Sequence, residues 1–461
     1  MYYQVMSMRA EQRRRCAAGG AAGRVASIDS TTGALRMTSL DERERVAESG
    51  NPLHVLLDPA MRIDPHPTLA RLRAASPLVT PDGTVVVGDY ASCLDVMRNP
   101  AMGNDTLDSP GLRGLVPNSG AKQVLDSIFF MDGGDHGRQR RLISKAFTPR
   151  ITARYRPRIE NIVDELFAEI AGADEFDAVG EFANLLSIRI ICELLDVPMS
   201  DVDVLKEWSD DLALATELPT LVAGFRRLGL LSPEELAVVD RTCASMHAYF
   251  ADLIFKRRRA PGEDLVSSLI RTEDRGQTLA RHEVTNVLVT LFAAAHESVT
   301  NLITNGILAL HRNREQLALL RADPALAAPM ADEVLRYDAP VQLTARVALS
   351  PTTVAGLDVD AGTVVILLLA AANRDEAEFA EADRFLISRT TKRMQLAFGA
   401  GPHFCIGSSL TKLEAELAFR AVAERFTDFE VDEGSLEYRR HVVVRGLRKM
   451  TVRVSRRNLE L

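Results

Sequence analysis

The chain has no excess of basic residues and no long uninterrupted apolar run, and both absences exclude classes of protein. Its 461 residues carry a formal net charge of −8, so no domain-wide positive charge is available to bind a nucleic-acid backbone. No segment supplies the roughly 20 consecutive apolar residues that span a bilayer. The basic N-terminal segment lacks the apolar core of a secretory signal. We therefore expect a cytoplasmic protein that has no membrane span and binds no nucleic acid.

Cysteines at paired spacings are also missing. The five cysteines are Cys16, Cys93, Cys192, Cys243 and Cys405. None belongs to a CxxC pair, so the sequence predicts neither a zinc site nor a disulfide framework. Cys93, Cys192 and Cys243 are expected to be small buried apolar residues. Cys405 differs from them because of the residues that surround it.

No linker rich in Pro, Gly and Ser divides the chain after its first 50 residues, so we expect residues 49–461 to form a single domain. Residues 1–48 show no sustained hydrophobic period, which predicts a disordered extension. Helical periodicity dominates residues 135–271, and residues 282–313 are apolar around most of a helical circumference, as in a buried helix. Short strand-like runs follow, with a final hairpin-like pair ending in "KMTVRV". The predicted fold class is mainly α with minor β.

The segment "FGAGPHFCIG" surrounds Cys405 with glycines. Gly399, Gly401 and Gly407 let the backbone turn sharply and approach a flat group closely. A helical pattern begins directly afterwards, and the N-terminus of a helix favours a thiolate. One thiolate with no second ligand nearby suits a metal held in a large cofactor, such as iron in a porphyrin. The alternative is a buried cysteine in a glycine-rich turn.

The pattern F-x-x-G-x-H-x-C-x-G at residues 398–407 resembles the haem-binding loop of the cytochrome P450 superfamily. The resemblance is to the soluble bacterial type. It implies a triangular helical domain with a small β-rich region, and haem b (iron protoporphyrin IX) as cofactor. Cys405 would be the axial iron ligand, and Phe398, Gly399 and Gly407 would lie against the haem.

A second motif occurs in the order that this family shows. In "ADEVLRYDAP", Glu333 and Arg336 are three residues apart and share one face of a helix. Taken alone, this spacing is typical of an ordinary surface ion pair. It resembles the family's ExxR pair, and the resemblance implies that Arg384 completes a structural network with both residues.

Two histidines and two arginines are assigned to the haem propionates by the same resemblance. His136 and Arg140 are four residues apart on one helical face, within a segment that resembles the family's C-helix. Arg346 and His403 would hold the other propionate. Two buried carboxylates need charged or hydrogen-bonding partners, which explains the residue types. The alternative for each side chain is a solvated position at the surface.

The long apolar pattern contains the polar triplet of "AAAHES" at residues 293–298. His296 does not begin an HExxH zinc motif, because Thr300 holds the last position. One interpretation is that Ser298 and Thr300 hydrogen-bond to carbonyl groups of their own helix.

The resemblance gives the triplet a second interpretation. The segment aligns with the family's central-helix motif Ala-Gly-x-Asp/Glu-Thr, which implies that Ala294 lies beside the haem. Glu297 and Ser298 would then be catalytic and deliver protons during dioxygen activation. Ala295 replaces the usual glycine and Ser298 replaces the usual threonine, so the efficiency of oxygen activation is open.

The resemblance implies a monooxygenase that uses O2 and electrons from ferredoxin and ferredoxin reductase. No G-x-G-x-x-G segment or iron–sulfur cysteine set indicates a fused reductase. Lys392, Arg393 and Lys412 could steer an acidic ferredoxin. Ala295 and Ser298 leave an alternative on the same haem fold: oxidative coupling, desaturation or a non-oxygenating rearrangement. A haem-binding protein without activity and a haem-free scaffold are further alternatives.

Substrate contacts are expected from two regions of the chain and from aliphatic residues. The regions are residues 101–130 and 212–231, and the aliphatic residues are Ala293, Val341 and Leu343. Because these segments are mostly aliphatic, the expected substrate is a hydrophobic small molecule, and secondary metabolism is the expected setting.

Overall fold

The computed structural model describes residues 51–105, 126–225 and 232–456 of the chain, and the N-terminal extension predicted at residues 1–48 lies outside them. Helices contribute most of the described structure. In chain order the α-helices are α1 (Ala60–Ile63), α2 (His66–Ala74), α3 (Tyr90–Arg98), α4 (Gly133–Ser144), α5 (Pro149–Arg154), α6 (Arg156–Glu169), α7 (Asn184–Leu195), α8 (Val202–Phe225), α9 (Pro233–Arg259), α10 (Leu265–Arg271), α11 (Arg281–Arg312), α12 (Arg314–Ala322), α13 (Ala327–Tyr337), α14 (Leu369–Ala372) and α15 (Ser408–Arg425).

The strands are short and form small sheets. They are β1 (Leu78–Val79), β2 (Val85–Val87), β3 (Met102–Gly103), β4 (Glu175–Asp177), β5 (Glu273–Asp274), β6 (Gln277–Thr278), β7 (Thr344–Ala348), β8 (Thr352–Val354), β9 (Leu357–Val359), β10 (Val364–Leu367), β11 (Phe426–Val431), β12 (Glu437–Tyr438), β13 (Leu447–Lys449) and β14 (Thr451–Arg456). The largest sheet has the order β1-β2-β10-β7-β3, and β11-β14-β4 form a second sheet. This architecture confirms the prediction of a mainly α fold with minor β.

The five-stranded sheet combines one parallel pair with antiparallel pairs. β2 and β10 run parallel, and β7 lies antiparallel to β10 with Arg346 opposite Val365. Every residue of β2 and β10 is buried, so both strands read as continuous valine, isoleucine and leucine runs. The sheet therefore provides a rigid base for Arg346.

Helix α11 runs through the centre of the helical region. It has 32 residues, about 48 Å of helix, and packs against α7, α8, α9, α13 and α15. Among the described residues, α11 alone is long and apolar enough to cross a membrane, but 78% of its apolar window is buried inside the protein. Its all-round apolar surface is explained by the helices that enclose it.

A glycine brings α11 and α15 unusually close together. A Cβ atom on Gly306 would overlap the Phe419 ring of α15 and would lie 3.2 Å from the Val334 side chain of α13. Only the absence of a side chain at residue 306 permits this packing. The helix that follows Cys405 is thereby held against the central helix.

The C-terminal strands pair over longer distances than a simple hairpin requires. β14, which begins within "KMTVRV", pairs antiparallel with β11 and, on its other edge, with β4. β12 pairs with β13 instead. The connection between β11 and β14 therefore contains a small two-stranded sheet, and residues 439–446, here called the 439–446 segment, join its two strands.

Candidate active site

Glycines shape the loop of residues 398–407, called here the Cys loop. Gly399 and Gly401 both have a φ of +69°, in the left-handed region that glycine adopts without the steric cost of a Cβ atom. A Cβ atom on Gly401 would also overlap the carbonyl oxygen of Met97 in α3. The loop therefore folds tightly against α3, as the three glycines of the sequence predict.

Cys405 lies at the end of this loop, directly before α15. Its backbone N–H donates to the carbonyl oxygen of Phe398 at 2.9 Å. Burial raises the pKa of the Cys405 thiol, whereas the backbone N–H groups of Gly407 and Ser408 and the charge of Arg140 act in the opposite direction. A stable thiolate at this position consequently requires further positive charge, such as a metal ion.

The described residues contain no cluster of three or more His, Cys, Asp or Glu side chains that could hold a metal ion. Cys405 is partly exposed, whereas Cys93, Cys192 and Cys243 are buried. A metal at Cys405 would thus depend on ligands from a prosthetic group.

Two histidine rings stack beside the Cys loop. The centroids of His136 in α4 and His403 lie 4.0 Å apart, with an angle of 23° between the rings. His136 is buried, and its Nε2 atom has no hydrogen-bond partner among the described residues. Burial, together with the charges of His403 and Arg140, lowers the pKa of His136 to about 4. The imidazole ring of His136 is therefore neutral at pH 7, and its buried Nε2 atom can still form a hydrogen bond with a bound group.

Two arginines join the histidines. Arg140 donates to the carbonyl oxygen of Phe404, and Arg346 donates to a main-chain carbonyl and a threonine hydroxyl of its own strand. Burial lowers the pKa of Arg346 to about 10. Among the described residues, Asp132 supplies a carboxylate to these four side chains, with its Oδ1 atom 3.3 Å from Nε2 of His403. The four side chains thus offer more donors and positive charge than their protein partners satisfy.

Glu333 and Arg336 form a buried bidentate ion pair on α13. Both nitrogen–oxygen distances are 2.8 Å, and the two side chains are 3% and 2% exposed. Arg336 also donates to main-chain carbonyl oxygens of residues 373, 382 and 384. The sequence spacing alone is typical of a surface ion pair, but in the structure this pair is buried and connects α13 to the segment that contains residues 373–384.

The structure does not place the Arg384 side chain in this network, contrary to the expectation. That side chain is 60% exposed and pairs with Glu381, while only the Arg384 carbonyl oxygen accepts a bond from Arg336, at 2.9 Å. The third side chain is Arg389, whose Nε lies 3.0 Å from Glu333 and which is 8% exposed. The chain turns at Glu381 to Arg384, which directs Arg384 outwards and returns Arg389 to the interior.

The polar triplet of α11 separates into three environments. The Ser298 hydroxyl donates to the carbonyl oxygen of Ala294 at 2.6 Å, so it does bond back to its own helix. His296 is buried and points away, with Nδ1 at 2.6 Å from the Ser209 hydroxyl of α8. Ser298 and Ala294 are partly buried, which leaves this side of the helix accessible.

Glu297 lies in a buried charged group. Its Oε1 is 2.9 Å from Nδ1 of His441 and 3.6 Å from Nε of Arg439, both in the 439–446 segment. Burial would raise the pKa of Glu297, but the hydrogen bond and charge of His441 and the charge of Arg439 lower it. No sequence pattern predicted a role for His441, because it lies 144 residues from Glu297 in a segment without periodicity.

The family model for cytochrome P450 matches residues 97–323 and 326–443. The chain belongs to the cytochrome P450 family. It is 35% identical to the cytochrome P450 monooxygenase PikC of Streptomyces venezuelae over 85% of this chain and 91% of that protein. It is 33% identical to vitamin D(3) 25-hydroxylase of Pseudonocardia autotrophica over 89% of this chain and 98% of that protein.

A solved structure shows the same fold. CYP164A2 of Mycobacterium smegmatis with econazole bound matches with a TM-score of 0.79 and 35% identity, over 87% of this chain and 99% of that one. The protein is therefore a cytochrome P450 monooxygenase of the bacterial type, an oxidoreductase that uses O2 and binds haem b. These findings confirm the family, cofactor and enzyme class that the Cys loop predicted.

Haem b fits the residues around the Cys loop of this cytochrome P450. The Cys405 thiolate would hold its iron, and the iron would supply the positive charge that this thiolate requires. Its two propionates are buried carboxylates of the kind that His136, Arg140, Arg346 and His403 could satisfy. The orphaned Nε2 of His136 is the clearest single sign of this fit.

The residues expected to contact substrate are only partly brought together. Val341 forms an isolated bridge with Val444, and Leu343 lines a cavity of about 30 Å³ with His441. Ala293 is buried among the helices instead. Within the predicted regions, residues 106–125 and 226–231 lie outside the described residues, as do the side chains of residues 212–216, 218, 219 and 222.

The basic residues proposed to attract ferredoxin are largely ion-paired. Arg393 lies 2.6 Å from Glu378, and Lys412 lies 2.7 Å from Asp332. Lys392 is exposed. This surface of the cytochrome P450 is consequently less positive than the sequence alone suggests.

Proposed function

We propose that residues 49–461 form one haem domain, which inserts one oxygen atom from O2 into a hydrophobic small molecule in the cytoplasm, as a step of secondary metabolism. The observation that carries the proposal is the convergence of four buried or half-buried donors, His136, Arg140, Arg346 and His403, beside Cys405.

Each residue of the pocket has a separate task in this proposal. Cys405 would hold the iron, and the four donors would hold the propionates. Phe398, Gly399 and Gly407 would lie against the haem on the cysteine side. Bound haem supplies the reduction of O2 and the transfer of one oxygen atom to the substrate. All other steps depend on side chains that bind, orient and protonate.

Proton delivery falls to two residues of α11. The Ser298 hydroxyl donates to Ala294, and its oxygen keeps lone pairs that accept a hydrogen bond from water. Glu297, the residue before Ser298, is buried beside His441 and Arg439. These two side chains lower its pKa, so it remains ionised at pH 7. Ser298 would orient a water molecule, and the Glu297 carboxylate would take up protons one at a time and pass them to that water.

Separate proteins would supply the electrons: we infer a ferredoxin and a ferredoxin reductase. Lys392 is exposed, and Arg393 and Lys412 could exchange their internal partners for carboxylates of an acidic ferredoxin. Such an encounter would weaken as ionic strength rises.

Labelled oxygen tests the proposed reaction. The holoenzyme would receive electrons from spinach ferredoxin and its reductase, with vitamin D3, steroids and long-chain fatty acids as probes. The first readout is a spectral shift of the haem on binding, and the second is the mass of any product formed under ¹⁸O2. A product that gains one labelled atom supports the proposal. Turnover to a product without labelled oxygen would establish desaturation, coupling or rearrangement instead.

A further inference from the structure

His441 is held in a fixed position by the backbone around it. The N–H of Gln342 donates to the carbonyl oxygen of Val443 at 2.8 Å, which ties the 439–446 segment to the chain before β7. From the other side, the Glu217 carboxylate of α8 accepts the N–H of Val444 at 2.8 Å. The imidazole therefore does not depend on a flexible loop for its placement.

A glycine brings this segment against the central helix. A Cβ atom on Gly446 would overlap the side-chain amide of Asn301, one turn beyond Glu297 on α11. The segment can approach α11 this closely only because residue 446 has no side chain. The close approach sets His441 within hydrogen-bonding distance of Glu297.

Charged groups from several elements face His441. Glu297 of α11 and Glu217 of α8 are negative when ionised, Arg439 of the same segment is positive, and Arg62 and Arg445 share the cavity beside it. Burial would lower the pKa of His441, but the hydrogen bond and charge of Glu297 and the charge of Glu217 raise it. Burial also raises the pKa of Glu217. The His441 ring is thus more readily protonated than a free imidazole.

A small cavity lies on the outer side of His441. Its volume is about 30 Å³, and Met61, Arg62, Leu343 and Arg445 are among its other lining residues. This volume holds about two water molecules, and the arginines provide donors for them. Met61 and Arg62 are partly exposed, so the cavity lies next to bulk water.

We propose that His441 acts through Glu297 as a positioning and proton-relay residue, taking protons from water in this cavity and passing them to the carboxylate on α11. The inference rests on the proposed function, in which Glu297 supplies protons for oxygen activation. In each cycle the protonated ring gives its Nδ1 proton to Oε1 of Glu297. The neutral ring then turns Nδ1 towards the cavity, takes one proton from the solvent there and turns back, so one proton moves inwards per cycle.

Histidine NMR tests the coupling without turnover. In ¹⁵N-histidine spectra of the reduced, CO-bound holoenzyme, His441 should titrate with a pKa above the ordinary value of about 6.5. Glu297→Gln should lower that pKa, because the hydrogen bond and charge of Glu297 that raise it are lost. A pKa that does not change in Glu297→Gln would overturn the coupling.

Two variants separate a relay from a purely structural contact. His441→Asn keeps an N–H donor near the position of Nδ1 but cannot pass a proton through its side chain. With spinach ferredoxin and its reductase and no added organic substrate, we expect NADPH consumption to fall about 10²-fold, the lower range for a positioned proton-transfer group. Its pH profile should also flatten. His247→Asn, at a histidine hydrogen-bonded to Cys243 and Asn286, is the matched control and should behave as wild type.

The outcomes also separate this inference from the proposed function. If Glu297→Gln slows NADPH consumption and His441→Asn does not, the His441 relay is wrong and Glu297 keeps its role. If Glu297→Gln has no effect, the proposed proton function of Glu297 fails as well. Should His441→Asn fold poorly, the histidine titration of the wild-type holoenzyme and its Glu297→Gln variant still decides whether the pair is coupled.

Discussion

At the scale of single residues, the cysteines show how surroundings decide chemistry. Cys243 is buried within α9, and burial raises the pKa of its thiol to about 12, so it remains an inert thiol. Cys405 has backbone N–H groups and Arg140 beside it, and it is partly exposed. Only the second environment suits a metal-bound thiolate.

We therefore predict that Cys405→Ser abolishes the strongly red-shifted Soret band of the reduced, CO-bound holoenzyme. Serine leaves the loop intact but offers a hydroxyl that does not supply a thiolate ligand. The measurement is the difference spectrum of reduced protein with and without CO. Cys243→Ala is the control and should keep the band. A red-shifted band in Cys405→Ser would show that another residue holds the iron.

Arg389 and Arg384 provide a matched pair of substitutions. Arg389→Ala removes one partner of the buried Glu333 carboxylate, which keeps its pair with Arg336, so we expect the free energy of unfolding to fall by about 1.5–3 kcal/mol. Arg384→Ala removes an exposed pair with Glu381 and should cost about 0–1 kcal/mol. Urea denaturation of both variants measures the difference. Equal losses would contradict the assignment of Arg389 to the brace.

These residues also mark the limit of what sequence could predict. The Glu333–Arg336 pair follows from a local spacing of three residues, and the loop around Cys405 follows from its glycines. Arg389 and His441 reach their partners through folding back of the chain, over 56 and 144 residues. A local hydrophobic period contains no information about such long-range contacts. The sequence therefore suggested Arg384 in place of Arg389 and did not indicate His441.

At the scale of elements, α11 was predictable because its apolar residues repeat around the whole helix. The helices that pack against it were not predictable, since they are distributed along the chain. The close contact between α11 and α15 depends on Gly306, a residue that would ordinarily weaken a helix. The packing of the pair, and not helix propensity, explains glycine there.

Two Gly→Ala substitutions test this explanation. In α4, a Cβ atom on Gly134 would meet nothing within 4 Å, so Gly134→Ala should raise the free energy of unfolding by about 0.5–1 kcal/mol. Gly306→Ala should lower it by about 1–3 kcal/mol, because the added methyl group overlaps Phe419. Thermal and urea denaturation measure both signs. Stabilisation by Gly306→Ala would show that α15 shifts without cost.

At the scale of the whole molecule, Asp338 links distant parts of the chain. It lies directly after α13, with Arg445 of the 439–446 segment at 2.5 Å and His66 of α2 at 3.7 Å. Arg445 donates further to the carbonyl oxygens of Arg62 and residue 63. The same segment carries His441, so this linkage also supports the proposed relay.

Acid should weaken this linkage in a defined direction. Burial would raise the pKa of Asp338, but the charge of Arg445 and the hydrogen bond and charge of His66 lower it well below its usual range. The pKa is thus lower in the folded than in the unfolded protein. The resulting stabilisation is present above about pH 4, the unfolded pKa, and is lost as pH falls through the folded pKa.

Asp338→Asn should therefore lower the free energy of unfolding by about 3–5 kcal/mol at pH 7, because it leaves Arg445 buried without a counter-charge. The difference from wild type should shrink as pH falls below about 4, since protonated aspartate and asparagine are both neutral. Asp383→Asn is the matched control: its carboxylate is 70% exposed beside Arg374 and should contribute about 0–1 kcal/mol. Urea denaturation across this pH range measures all three proteins. A difference for Asp338→Asn that stays constant with pH would mean that lost packing, and not the charge of Asp338, joins these parts of the molecule.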